Sequence, residues 1–193
     1  MEEERRVGGD CMKNNNKGYS MVEMIICVAI ISVLGALGFL TMNIVYTAKA
    51  NSAVNTFKTQ YATLKTVTEA QDAKTAFRLY YDDTEEQYYI EYGTWNGSAF
   101  TASTTKAEVA LSDRVAIYYK AASGSTESII DTTGVVVQYN KSDGSVLKGA
   151  GTYRFAKSNN KAITDLVLGN TSDAVGSTVD TLKLNKNSGN LTR

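Results

Sequence analysis

From Met24 to Ala48 the chain carries no charged residue, and most positions are Ile, Val, Leu, Met, Ala or Gly. About 20 such residues, rising ~1.5 Å each in a helix, cross a hydrocarbon core, so this run is long enough to span one. Beyond it the pattern becomes periodic. Ala50, Val54, Phe57, Tyr61, Leu64 and Val67 recur every three or four residues, with Lys49, Asn51, Asn55, Lys58, Thr59 and Lys65 on the other faces. This spacing predicts that the helix continues to about Gln71 as an amphipathic one, its apolar stripe facing a core.

The remainder reads as strands. Short β-branched or aromatic runs lie at Phe77–Tyr81, Gln87–Tyr92, Val115–Lys120, Glu127–Ile130, Val135–Tyr139, Thr152–Ala156, Asp165–Leu168 and Val179–Leu184. Clusters of Gly, Asn, Asp, Ser and Thr separate them, as turns require. Asn140–Ser145 has the composition of a hairpin turn leading into a strand that starts at Val146. Thr104–Lys106, Ser123–Ser128 and Asn170–Ser177 read as exposed loops. The expected fold class is α+β: a long N-terminal helix, membrane half plus amphipathic half, packed against a small antiparallel β-sheet head. Residues 1–18 would form a leader, 19–48 the membrane or core helix, 49–75 its amphipathic continuation and 76–193 the β-rich head.

At the mouth of the apolar run stands Lys17-Gly18-Tyr19-Ser20-Met21-Val22-Glu23. Glu23 falls at the rim of a membrane helix or just inside it. A carboxylate deep in a bilayer helix costs ~2.5–3.5 kcal/mol on insertion scales, so it needs a partner or a role. One local role is available, because Ser20-x-x-Glu23 matches a capping box, in which both side chains satisfy free N–H groups at a helix start.

Gly18-Tyr-Ser-Met-Val-Glu23, followed by the apolar residues Met24 to Phe39, closely resembles the N-terminus of a type IV prepilin. That superfamily contains type IV pilins, type II secretion pseudopilins and the pseudopilins of DNA-uptake machines. The resemblance implies a pilin-like fold and cleavage by a prepilin peptidase between Gly18 and Tyr19. It also implies N-methylation of Tyr19. Glu23 would then lie about one helical turn from the new amine, and a growing filament could neutralise one subunit's Glu23 with the Tyr19 amine of its neighbour. Removing either partner would leave an unpaired charge in hydrocarbon. The chain departs from the pattern in having no proline, where many type IV pilins carry one at the position of Leu40. Gly35 and Gly38 offer local flexibility instead, at ~1 kcal/mol each relative to alanine, or close packing between helices. Tyr19 stands in place of the commoner phenylalanine and keeps an aromatic ring at the interface.

Charge and composition narrow the picture. With 20 basic and 20 acidic residues among 193 the formal net charge is zero, which argues against bulk attraction to nucleic acid and leaves only a local basic patch. The two cysteines are Cys11 and Cys27, so the region beyond the helix cannot contain a disulfide and its C-terminal part must be held by packing alone. This hints at a Gram-positive or otherwise distinct branch; Cys27 reads as a small buried hydrophobe. Residues 2–9 resemble a translated ribosome-binding sequence, so Met12 is expected to be the initiator. Peptides containing Glu2–Arg5 in a peptidase-deficient strain would sink that expectation. Lys13 and Lys17 place the leader on the cytoplasmic side.

The chain contains no histidine, which excludes Ser-His-Asp and Cys-His catalysis and histidine metal sites. Asp82-Asp83-Thr84-Glu85-Glu86 is the one acidic cluster; its spacing does not match an EF-hand, and it reads as a solvated loop. Tyr80, Tyr81, Tyr88, Tyr89, Tyr92, Tyr118 and Tyr119 crowd the strands, as β-propensity alone would have them. Adjacent tyrosines on a strand point to opposite faces, so exposed ones, with Trp95, offer a contact surface for another subunit, a glycan or single-stranded DNA. Lys106, Arg114, Lys120, Lys148, Arg154, Lys157 and Lys161 supply cations whose common face the sequence does not reveal.

The expected function is a structural subunit of a type IV pilus-like filament, processed by prepilin peptidase, polymerised through its N-terminal helix, and not an enzyme. The alternatives are a pseudopilin of a type II secretion or DNA-uptake system, and a single-pass membrane-anchored adhesin that does not polymerise. The partners implied are other subunits, the peptidase, an assembly platform membrane protein and its ATPase, the membrane, and a surface ligand or DNA. No catalytic residue, cofactor or metal is expected. The chain would sit in the cell membrane and then in an extracytoplasmic filament or at the cell surface.

Overall fold

The computed structural model describes residues 19–70, 74–104, 108–158 and 177–193, the side chains of 37–41 excepted. One helix, α1, runs unbroken from Met21 to Ala70. The strands follow as β1 (Thr75–Asp82), β2 (Gln87–Trp95), β3 (Phe100–Ala102), β4 (Val109–Ala110), β5 (Val115–Ala121) and β6 (Ser128–Ile129). They continue as β7 (Val135–Tyr139), β8 (Val146–Lys148), β9 (Gly151–Lys157), β10 (Thr178–Leu184) and β11 (Leu191–Thr192). The chain divides into two compact units, Met1–Thr41 and Met42–Arg193.

In the first unit α1 is apolar on every side. Met21, Val22, Met24, Ile25, Ile26, Val28, Ile30, Ile31, Val33 and Leu34 are between 53% and 82% exposed. Runs of neighbours such as Met24–Ile26, each rotated ~100° from the last, cover the whole circumference rather than one stripe. Among the described residues no helix is long and apolar enough to cross a membrane. The described side chains of the apolar run end at Ala36 and resume at Met42. Cys27, expected as a buried hydrophobe, is an exposed free thiol.

The second unit contains two antiparallel sheets where the sequence pattern led to one. The first has the order β3-β2-β1-β7-β8, with β4 also paired to β2; the second has the order β11-β10-β9-β5-β6. The chain leaves the first sheet for β5 and β6, returns for β7 and β8, then crosses again for β9. Alternation along a strand marks its buried face but not its partner, so this division was hidden. Within this unit α1 packs against both sheets. The Phe57 ring stands 6.1 Å from Phe77 on β1, 5.1 Å from Tyr153 and 5.5 Å from Phe155 on β9. The buried stripe is Ala50, Ala53, Val54, Phe57, Tyr61 and Leu64, and it ends on Thr68. Val67, expected to close the stripe, is only half-buried. Thr68 lies four residues after Leu64 and takes the inward position, as helical spacing allows.

Seven of the eight expected strands are present within a few residues; Asp165–Leu168 lies outside the described residues, as do most of the expected loops Thr104–Lys106 and Asn170–Ser177. The strands β3, β4 and β11 are two or three residues long, too short for an alternation to show. The Asn140–Ser145 turn forms as expected: the Asn140 N–H donates to the Ser145 carbonyl at 2.8 Å and the Gly144 N–H to that of Asn140 at 2.9 Å. Gly144 there has φ +67°, a conformation glycine adopts without strain.

Candidate processing and assembly site

Tyr19 and Ser20 lead directly into α1, and Glu23 is its third residue. The Ser20 carbonyl accepts the first helical hydrogen bond, from the Met24 N–H at 3.1 Å, which makes Ser20 the N-cap. The reciprocal capping box does not form. Among the described residues, neither the Ser20 nor the Glu23 side chain makes a hydrogen bond. Glu23 is therefore an exposed carboxylate in the first turn, where the positive end of the helix dipole favours a negative charge. Tyr19 is 76% exposed. Tyr19 and Glu23 stand four residues apart at the start of the helix, whereas Gly18 lies outside the described residues. Glu23 is the only charged side chain among the described residues from Tyr19 to Ala36.

The second unit separates its tyrosines by face. Tyr81 and Tyr88 are buried with rings 5.0 Å apart, while the paired Tyr80 and Tyr89 stack on the outer face at 6.1 Å. Burial pushes the Tyr88 phenol far above its ordinary value, so it acts only as a neutral donor, here to the Ile130 carbonyl. The acidic run caps the β1–β2 hairpin. Its Asp82 Oδ1 accepts from the Thr84 and Glu85 N–H groups at 2.8 and 3.0 Å, and residues 83–86 are exposed. Among the described residues no cluster of His, Cys, Asp or Glu is placed to hold a metal.

The cations do not share one face. Arg154, on the second sheet, pairs with Glu127 at 2.7 Å and lies over the Tyr118 ring. Lys148, on β8 of the first sheet, lies 3.4 Å from the Trp95 ring centroid, and partial burial lowers its pKa. Lys106 and Lys161 are outside the described residues. Arg78 was not singled out from the sequence, yet it occupies the centre of the outer face. It is bonded to Glu91 at 2.7 Å and lies over Tyr80 and Phe100. The available signal was its position between the inward-facing Phe77 and Leu79 on β1.

Residues 13–39 match the family model described as the prokaryotic N-terminal methylation motif. This is the signature of type IV prepilins and pseudopilins, and the matched span includes Gly18, Tyr19 and Glu23. No curated protein and no solved structure matches the chain.

Proposed function

We propose that this chain is the structural subunit of a type IV pilus-like filament. It is inserted in the membrane through the uncharged run Met24–Ala48, cut by a prepilin peptidase between Gly18 and Tyr19, methylated at the Tyr19 amine, and polymerised through its N-terminal helix. The observation that carries this reading is a helix apolar on all sides, bearing one carboxylate in its first turn, inside a methylation motif. A soluble domain hides such a helix in its own core; here the exposed apolar side chains call for lipid first and other copies of the helix afterwards.

Glu23 supplies selectivity for the correct register. Once the peptidase frees the Tyr19 amine, a neighbour's amine is the cation that relieves a carboxylate carried into an apolar bundle, and misregistered packing leaves both charges unpaired. The energy for extraction from the membrane would come from a platform protein and its ATPase, and the β-rich part needs no catalytic group.

The test is electron microscopy of material sheared from producing cells, with wild-type chain and with Glu23→Ala. Filaments from the wild type and none from the variant, with equal chain levels in both membranes, are expected. Surface display without filaments that is indifferent to Glu23→Ala would instead make the chain a single-pass adhesin.

A further inference from the structure

The outer face of the first sheet holds a trough of about 450 Å³, walled by Arg78, Trp95, Phe100, Tyr119 and Lys148. Its two cations are incompletely satisfied. The Lys148 ammonium rests on the Trp95 ring and has no carboxylate partner among the described residues. Arg78 gives one guanidinium nitrogen to Glu91, while its Nε–H is buried with no acceptor among the described residues. Of the two, the Lys148 ammonium, on an aromatic wall with no carboxylate beside it, is the one open to an incoming anion.

The same hairpin carries the matching anions at its other end. Asp82, Asp83, Glu85 and Glu86 form the β1–β2 tip, and none of them is ion-paired with a described residue. The tip is already shaped: Asp82 bonds two backbone N–H groups, and Glu86 holds φ +53°. Within one subunit the tip cannot reach Lys148. Lys148 is level with Gln138 and, through it, with Ala76. Ala76 lies six residues before Asp82, or ~20 Å at ~3.4 Å per residue, beyond the reach of the side chains.

We infer that the acidic β1–β2 tip of one copy docks in the Arg78–Lys148 trough of the next. The contact joins unlike surfaces, so a docked pair keeps one free tip and one free trough, and the pairing propagates as an open chain. The inference rests on the filament reading and adds to it a second contact, between β-rich units, beside that of the helices. Exposed charge pairs contribute modestly to affinity, so the role of this one is to set register and choose the partner.

The experiment is cysteine cross-linking in producing cells, using the full chain with Cys27→Ala to remove the native helix thiol. Glu85→Cys combined with Lys148→Cys should give a ladder of disulfide-linked dimers, trimers and longer species under mild oxidation, and neither single variant should. Lys148→Glu should abolish filament yield, and adding Glu85→Lys to it should restore much of that yield. Absence of the ladder would overturn the docking whether or not filaments are present. An equal ladder from Glu85→Cys with Lys183→Cys, on the second sheet, would overturn it as well. Intact filaments from Lys148→Glu would assign the trough to another occupant and overturn it too. A ladder without filaments would support the docking and remove the filament reading alone.

Discussion

Tyr61 on α1 and Tyr139 at the end of β7 donate to the same acceptor, the Gly189 carbonyl, at 3.2 and 3.3 Å, their rings 5.3 Å apart and edge-on. Helix, first sheet and C-terminal turn meet at that oxygen. Gly189 has φ +59°, and an added Cβ would strike the Gly144 backbone and approach the Tyr139 ring to 2.9 Å. The chain has no cysteine beyond Cys27, so these hydroxyls do part of what a disulfide would do. The C-terminal region is thus held by directed hydrogen bonds as well as by packing.

Replacing either tyrosine with phenylalanine keeps the ring and removes one donor, at a cost of about 0.5–1.5 kcal/mol. The double variant strips both donors from a buried carbonyl and should lose about 1–3 kcal/mol. Hydrogen exchange provides the check: amides from Asn185 to Asn190 should exchange faster in the double variant than in either single one, with β1 and β2 unchanged.

Asp180 gives the unit a directional response to acid. Its side chain is 8% exposed and is bonded by Arg193 Nε at 2.9 Å and by Lys58 Nζ at 3.3 Å. Burial pushes the carboxyl upward, but hydrogen bonds from Arg193 and Lys58 outweigh it and hold the group below its ordinary range. A folded-state value below the unfolded one means that the unfolded chain binds the proton more readily. The stabilisation is therefore complete above the unfolded value and is lost as pH falls through the folded one. The thermal midpoint should be flat from neutrality to about pH 5 and decline below about pH 4. Asp180→Asn should shrink that decline and cost about 1–2 kcal/mol at neutral pH, the larger pair values being reduced by the exposure of Lys58 and Arg193. Asp113 is depressed as well: burial is the largest single influence and raises it, but Lys49 and Arg114 together outweigh it, so part of the slope should survive.

Gly93 on β2 leaves the space in which Phe100 lies. A Cβ there would meet the Thr101 carbonyl and come within 2.7 Å of Phe100 Cζ. Gly93→Ala must therefore move β3 or expel the Phe100 ring, a strain of about 1–3 kcal/mol. Thermal unfolding should register the loss. The same variant should weaken the Glu85–Lys148 cross-link, because Phe100 forms one wall of the trough.

The helix and the N-terminal methylation motif were legible because both are local. An uncharged run, a three-four stripe and a glycine-to-glutamate motif each occupy neighbouring residues, and helical spacing converts sequence distance into position. Tyr80–Tyr81 and Tyr88–Tyr89 were legible for the same reason, since alternation decides the face. What escaped depends on pairing. Nothing near Lys148 in sequence indicates Trp95, which reaches it only because β8 pairs with β7, β7 with β1 and β1 with β2. The division into two sheets escaped likewise, as did the exchange of Val67 for Thr68 at the end of the stripe, where a polar side chain is buried against ordinary preference.

Glu23 can be paired in the proposed filament only if the Tyr19 amine is freed and modified. Mass spectrometry of the intact N-terminus, on protein from its native cell and from a strain lacking the prepilin peptidase, tests it most directly. A mature chain beginning at N-methyl-Tyr19 is expected in the first strain and a longer, unmethylated one in the second. An uncut N-terminus in the first strain would contradict it, because Glu23 would then have no amine to meet.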